Sequence, residues 1–251
     1  MSSEYPEVFA RFYDLIYQNM RDGVDNEFFF EQIRQSGGKI LEAGVGTGRF
    51  FMDALGMGTD IYGLDISEPM INVLIEKLDA EHAHRISIQS ILDFEFDFHF
   101  DLVIAPFRVM MHLTEKEEQL EAINNVYRHL KPGGKFIFDA FIPDLKQLIT
   151  GLENQTDFEA EYEPGKKLTR TVSTRPELIN QLINITFEFE WEEEEGKKTE
   201  RWDTSLRFFF RYELEHLIER SMFDKYEIWG DYKGNKLAEG SKEFIVICQK
   251  T

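Results

Sequence analysis

An α/β architecture, with a mostly parallel sheet and helices on both faces, is predicted by three observations. Residues 38 to 141 alternate short apolar runs with amphipathic stretches, as successive βα units do. A glycine-rich turn, Gly44-Val-Gly-Thr-Gly48, follows the first run, and an acid, Asp65, closes the second. After residue 150 the apolar pattern shifts to period two, which predicts an antiparallel β insertion over about residues 155–210, ahead of the last helix.

The segment up to Ile33, rich in Phe and Tyr, is expected to be helical. The runs Lys39–Ala43, Asp60–Leu64, Ile86–Gln89, Phe100–Ala105 and Lys135–Ala140 are the expected strands of the parallel sheet. Between them, Ile71, Leu74, Ile75 and Leu78 recur at helical spacing. Thr114-Glu-Lys-Glu117 has the form of a capping box, opening a helix whose apolar face holds Leu120, Ile123, Val126, Tyr127 and Leu130. Lys131-Pro-Gly-Gly134 should stop it, because proline cannot continue a helix and glycine accepts a left-handed conformation. In the second part, Phe158–Glu163, Lys167–Thr174, Leu182–Glu194 and Lys197–Phe209 read as antiparallel strands, with Glu195-Gly196 turning the last hairpin. Tyr212–Met222 returns to helical spacing, and strands near 225–232 and 243–249 close the chain.

At 251 residues and 42% hydrophobic content, the chain suits one α/β domain, residues 1–251, with an elaboration. Its formal net charge of −19 opposes a phosphate-backbone partner in the absence of a basic stripe, and no such stripe occurs. Most of the 23 phenylalanines should be core. Residues 1–10 lack the basic and apolar regions of a signal peptide, and no apolar run reaches bilayer-spanning length, so a cytoplasmic protein without a membrane partner is expected. The lone Cys248 lies in an apolar run and reads as a buried strand residue. Glu192–Glu195 reads as a solvated charge cluster at a hairpin tip, with a divalent-metal site as its alternative.

The glycine turn carries the chemistry. Glycines at alternate positions let the backbone turn tightly and approach a ligand where a Cβ would obstruct. Asp65, 21 residues after Gly44, suits a βαβ unit whose second strand ends in an acid for the two hydroxyls of a ribose. The spacing is G-x-G-x-G, with Arg49 where a dinucleotide fingerprint would place its third glycine, so it fits a pyrophosphate poorly. Glu42, two positions before Gly44, would repel a diphosphate and suit a cation. S-adenosylmethionine carries a sulfonium and an ammonium and no phosphate. The rivals are an NAD-dependent oxidoreductase, favoured by the βαβ unit and Asp65, and a glycine-rich turn with no ligand.

The glycine loop, Asp65, the strand Phe100-Asp-Leu-Val-Ile104 and the segment Leu130-Lys-Pro-Gly-Gly-Lys-Phe-Ile137 recur in the order and spacing of one family. On these pieces the chain resembles the class I S-adenosylmethionine-dependent methyltransferases over about residues 38–142, the expected cofactor-binding core. Tyr13-Asp-Leu-Ile-Tyr17, Pro106-Phe-Arg108, His112-Leu113 and Phe209-Phe-Arg-Tyr-Glu-Leu-Glu-His216 look like a bacterial branch whose substrates are mostly unknown. The resemblance implies a Rossmann-like, mostly parallel seven-stranded sheet and S-adenosylmethionine as cofactor. It places Glu42 near the methionine portion, with Ala43, Gly44 and Gly46 against the amino-acid moiety and ribose. Asp65 would bind the ribose hydroxyls, and Ile66 and Met70 would pack on the adenine. Where the family offers an Asp to the adenine amino group this chain has Ser90 beside Ile91, so a hydroxyl or the backbone would substitute. Ala105 and Pro106 would close over the cofactor, and Tyr13 would lid its methionine end or else pack in the core.

Methyl transfer from a sulfonium is an in-line substitution, and a general base is needed only where the acceptor arrives protonated. His112 and Arg108, just past the fourth strand, stand at the carboxyl edge where open α/β sheets bind ligands. His112 could remove a proton near neutral pH, or could be a helix-flanking histidine bonded to backbone. Arg108 could clamp an acidic group of the substrate, or pair with one of the chain's carboxylates. The insertion is expected to cover this edge and bring Arg170, Arg207, Phe209, Arg211 and Tyr232 as further candidates, most of them reading as ordinary strand or cap residues. The expected activity is methyl transfer to an oxygen or nitrogen of a small molecule. A cofactor-binding regulatory protein that has lost catalysis is the alternative from another functional class, and protein or nucleic-acid methylation is disfavoured by the acidic charge.

Overall fold

The computed structural model describes residues 5–20 and 23–251. The N-terminal helical segment is two helices, α1 (Glu7–Met20) and α2 (Val24–Ser36). The alternating region then forms β1 (Ile40–Ala43), α3 (Arg49–Gly56), β2 (Ile61–Asp65), α4 (Glu68–Lys77), β3 (Ile86–Ile88), β4 (Phe100–Ala105), α5 (Lys116–His129) and β5 (Leu130–Phe141). A short helix, α6 (Leu145–Thr150), leads into four strands, β6 (Leu152–Glu163), β7 (Lys166–Glu177), β8 (Leu182–Glu193) and β9 (Gly196–Arg207). Helix α7 (Arg211–Glu219) and strands β10 (Lys225–Trp229) and β11 (Glu243–Gln249) complete the chain.

The main sheet has seven strands in the order β10-β11-β5-β4-β1-β2-β3. Its five central and right-hand strands run parallel, while β11 pairs antiparallel with β5 and β10 antiparallel with β11. Alternation along β4 shows why both faces need helices. Leu102 and Ile104 join the core made with α2 and α3, and Val103 and Ala105 join the opposite core with α5 and α7. The strand order reverses between β1 and β4, and the carboxyl edge at such a reversal opens a crevice. The glycine turn after β1 sits there, so its geometry and the sheet topology converge on one place.

The insertion is a separate antiparallel sheet in the order β6-β7-β8-β9. It spans 152–207 rather than 155–210, because β6 begins six residues before the expected Phe158 and β9 stops at Arg207. Phe209, expected at the end of that strand, lies instead in the core of the main sheet and is fully buried. The insertion reaches the carboxyl edge of the main sheet through β9, which lies against the turn Val109–His112, while its inner apolar face is covered by α1. Phe158, Leu168, Phe189 and Trp202 pack on Val8, Phe9, Phe12 and Ile16 of α1, so the sheet backs the N-terminal helix.

Three local expectations are corrected. Thr114 does not cap α5: the helix starts at Lys116, Glu115 is the N-cap residue without a side-chain bond, and the Thr114 carbonyl accepts from Arg207 at 3.0 Å. Gln119 ties the entry to α5 instead, donating to the Leu113 carbonyl at 2.7 Å. In the last hairpin Glu193 pairs with Gly196, so Glu194 and Glu195 are the two turn residues. Helix α7 ends at Glu219, before Met222.

Candidate functional site

One cavity, of about 890 Å³ empty volume, occupies the crevice. Its floor is the loop after β1. Gly44, Gly46 and Gly48 all have positive φ (74°, 53° and 89°), a region closed to most side chains, and this forces the chain back from the strand end into α3. At Gly44 an added Cβ would lie 2.4 Å from Val109 Cγ2, so this glycine is required by protein packing. At Gly46 an added Cβ would meet nothing within 4 Å, so the space above it belongs to the cavity.

Two carboxylates stand over this floor. Asp65, at the end of β2, accepts from the Gly46 amide at 2.9 Å on Oδ2 and from the Ser67 amide at 2.9 Å on Oδ1. Burial raises its pKa, and those amides oppose the shift. Each oxygen retains lone pairs, so the group is held in place and still able to accept from a ligand hydroxyl. Glu42 on β1 is 2% exposed, and its Oε2 has no hydrogen-bond partner among the described residues. Burial pushes its carboxyl up to about 8, with Arg49 acting the other way. A buried carboxyl oxygen without a partner beside a cavity is what a cationic ligand would complete. The open space over Gly46 and the unmatched Glu42 oxygen therefore both fit the cofactor read from the sequence.

Tyr13, Ile66, Met70, Ser90, Ile91 and Pro106 line the same cavity. Ser90 Oγ also accepts from the Leu92 amide at 3.1 Å, which sets the turn beyond β3. Ala43 and Ala105 are fully buried in the core beneath and do not line it. Other lining residues were given no binding role from sequence, chiefly Tyr5, Arg49, Gln89, Phe107, Val109 and Leu113. Arg49 was visible only as a departure from a dinucleotide fingerprint; its guanidinium bonds Asp25 at 2.9 Å and Asn26 at 2.8 Å on α2.

His112 lines the cavity from a short 3-10 turn, Val109–His112. It is not bonded to backbone: Nε2 and the Tyr5 hydroxyl hydrogen-bond at 3.1 Å, and Nδ1 has no partner among the described residues. Burial pushes the ring down to about 4, which keeps it neutral at physiological pH.

Of its two readings, Arg108 takes the pairing with the chain's own carboxylates and not the substrate clamp. It does not line the cavity, and its Nη1 donates to Asp139 at 2.9 Å and its Nη2 to Glu243 at 2.7 Å. Its amide also donates to Asp139 at 2.8 Å. Phe107 and Arg108 both have positive φ (61° and 72°), an unfavourable conformation for such residues, and the fully buried Asp139 holds it. The result is that Phe107 projects into the cavity wall and the turn carrying His112 is set. The candidates expected from the insertion and after it are also structural. Arg170 pairs with Asp157, Arg207 with Glu213, Arg211 with Glu215, and the Tyr232 hydroxyl donates to Asp139. No cluster able to hold a metal ion occurs among the described residues.

Comparisons with known proteins agree with this geometry. A family model described as a methyltransferase domain matches residues 40–134, from β1 through the glycine loop and β4 to the Lys-Pro-Gly-Gly segment. An uncharacterized methyltransferase of Bacillus cereus is 32% identical over 194 residues, covering 73% of this chain and 81% of the relative. Among solved structures, an S-adenosylmethionine-dependent methyltransferase from Clostridium acetobutylicum superposes with a TM-score of 0.76 at 19% identity, covering 97% of this chain and 98% of that one. The sugar N-methyltransferase KedS8 from Streptoalloteichus superposes with a TM-score of 0.77 at 16% identity, covering 100% and 97%. A glycine loop spaced against pyrophosphate, two carboxylates over it and a relative spanning most of both chains point the same way: the chain belongs to the class I S-adenosylmethionine-dependent methyltransferases, and S-adenosylmethionine is its cofactor.

Proposed function

We propose that this enzyme methylates an oxygen or nitrogen of a small molecule bound in the cavity between the carboxyl edge of the parallel sheet and α1. The observation that carries the reading is that a single cavity holds both the cofactor-type groups, Glu42, Gly46 and Asp65, and a polar pair suited to an acceptor, Tyr5 and His112. The fold likeness to a sugar N-methyltransferase is consistent with an acceptor of that size. A net charge of −19 argues against nucleic acid as the substrate. No helix among the described residues is long and apolar enough to cross a membrane, and we place the activity in the cytoplasm. Residues 1–251 act as one methyltransferase domain, with 38–142 as the cofactor core.

When bound, S-adenosylmethionine supplies a methyl group already activated on a sulfonium. In this reading Asp65 accepts from the ribose hydroxyls, each charged hydrogen bond contributing about 1.5–3 kcal/mol. Glu42 faces the positive charge of the methionine portion. Ile66 and Met70 flank the adenine, Ser90 and Ile91 lie at its amino edge, and Tyr13 covers the methionine end. Gly44, Ala43, Ala105 and Pro106 shape the backbone around it. Alignment is the protein's main contribution and is worth roughly 7–11 kcal/mol in well-oriented reactions.

Calorimetry with S-adenosylhomocysteine, followed by a metabolite screen with product detection by mass, tests the proposal. Tight binding together with a methylated small molecule is expected. Binding with methylation of protein or RNA alone would overturn it.

A further inference from the structure

Asp65 is gripped from two sides, and the N-terminal segment holds both. Its Oδ2 accepts from the Gly46 amide and its Oδ1 from the Ser67 amide, each at 2.9 Å. Thr47, the residue after Gly46, is 1% exposed, and its hydroxyl donates to Oδ1 of Asp14 on α1 at 2.6 Å. Ser67 is fully buried, and its hydroxyl donates at 3.4 Å to the carbonyl of Tyr5, just ahead of α1. The two segments that aim the Asp65 carboxylate are thus tied to one helix and its lead-in. Undocking of α1 would take the acceptor from both buried hydroxyls.

Lys77 completes the first tie. At the end of α4, its ammonium donates to the Thr47 carbonyl at 2.9 Å and pairs with the second oxygen of Asp14. Thr47 is therefore held by its hydroxyl and by its carbonyl. The residues on either side of it, Gly46 and Gly48, are glycines in the left-handed region, which restrict the backbone least, so the place of Thr47 depends on what it is tied to. The Asp14–Lys77 pair is about one-third exposed and adds little to global stability by itself. Elsewhere on α1, Val8, Phe9, Phe12 and Ile16 are buried against Phe158, Leu168, Phe189 and Trp202 of the insertion. The insertion fixes α1, α1 fixes Thr47 and Ser67, and these fix Asp65.

Resting on the reading of Gly46 and Asp65 as cofactor groups, we propose that Asp14 is a positioning residue for the cofactor. It fastens the glycine loop to α1 through Thr47, so docking of α1 strengthens cofactor binding, and the cofactor strengthens the docking of α1 by the same factor. The four-stranded insertion, which supplies none of the described cavity residues, acts on cofactor binding through this helix.

Calorimetry with S-adenosylhomocysteine on Asp14→Ala, Thr47→Val and Thr47→Ser tests the proposal, with circular dichroism to establish that each variant is folded. Affinity should fall about tenfold in Asp14→Ala and in Thr47→Val, which loses the hydroxyl but keeps the shape; Thr47→Ser, which keeps the hydroxyl, should restore most of it. The double variant of Asp14→Ala with Thr47→Val should lose little more than either alone, because both remove one contact. Hydrogen exchange of the α1 amides gives the reciprocal measurement: S-adenosylhomocysteine should slow it in the unaltered protein and far less in Asp14→Ala. Unchanged affinity in Asp14→Ala or in Thr47→Val, or equal slowing of α1 exchange in the unaltered protein and Asp14→Ala, overturns the proposal. Asp65→Ala separates the two levels: unchanged affinity there refutes the cofactor groups themselves, whereas a loss there with none at Asp14 refutes only the tie.

Discussion

Glu42 in the seven-stranded sheet and Arg170 in the four-stranded sheet are almost equally buried, at 2% and 1% exposure, yet their polar atoms are treated in opposite ways. Arg170 closes on Asp157 through Nε at 3.0 Å and Nη2 at 2.7 Å, with Phe187 and Tyr17 against the guanidinium plane. Glu42 lines the cavity with an oxygen that nothing in the described protein satisfies. A satisfied buried charge belongs to the architecture, and an unsatisfied one beside a cavity is matched to a ligand. Chemical type alone does not separate these cases, because an arginine in a β layer and a glutamate in a strand are each a plausible site residue.

Four substitutions would break or sharpen this contrast. Arg170→Ala should cost the most, about 3–5 kcal/mol of stability, because it leaves Asp157 facing a buried gap. Denaturant unfolding reads that loss, and S-adenosylhomocysteine affinity should stay unchanged; a parallel loss of affinity would place Arg170 in the site. Asp65→Ala should reverse the pattern, weakening S-adenosylhomocysteine roughly 100-fold by calorimetry through lost charged hydrogen bonds while the circular dichroism of the fold is retained. Unchanged affinity would remove Asp65 from the ribose.

Glu42→Gln should have a smaller effect of opposite sign on stability. The carboxyl is raised from 4.5 to about 8, so the cofactor-free protein keeps its proton where the unfolded chain has released it. Its contribution is therefore fully present below about pH 4.5 and lost as pH rises towards about 8. The amide removes that slope and should raise cofactor-free stability by on the order of 1–3 kcal/mol near neutrality, while weakening cofactor binding. A pH series of unfolding curves that is identical for the two proteins would contradict the buried, unmatched state of Glu42. Arg211→Ala should change least: its partner Glu215 is one turn away on an exposed helix face, and the thermal unfolding midpoint should stay where it is in the unaltered protein.

The cofactor edge was legible because its constraints are local. Positive φ at Gly44, Gly46 and Gly48 and an acid at the end of β2 follow from how a strand must turn into a helix around a ligand, and both appear at fixed spacing along the chain. The period-two strands of the insertion were legible for the same reason. Which of its two readings Arg108 would take was not legible, because its partners Asp139 and Glu243 lie 31 and 135 residues away, and only β5 and β11 pairing beside β4 brings them to it. That α1 would cover the inner face of the insertion was not legible, since period two says which face of a sheet is apolar and not what will cover it.

From its own order of residues the chain determined a parallel sheet with a glycine turn at its reversal, a cationic nucleoside as ligand and a separate antiparallel layer. Tertiary packing alone decided that this layer would back α1, that α1 would bring Tyr5 to His112 across 107 positions, and that every arginine expected at the acceptor would find a carboxylate elsewhere. The physical reason is range. Backbone torsion and side-chain periodicity act over a few residues and leave a mark in sequence, whereas the pairing of a buried polar atom depends on which distant elements arrive beside it.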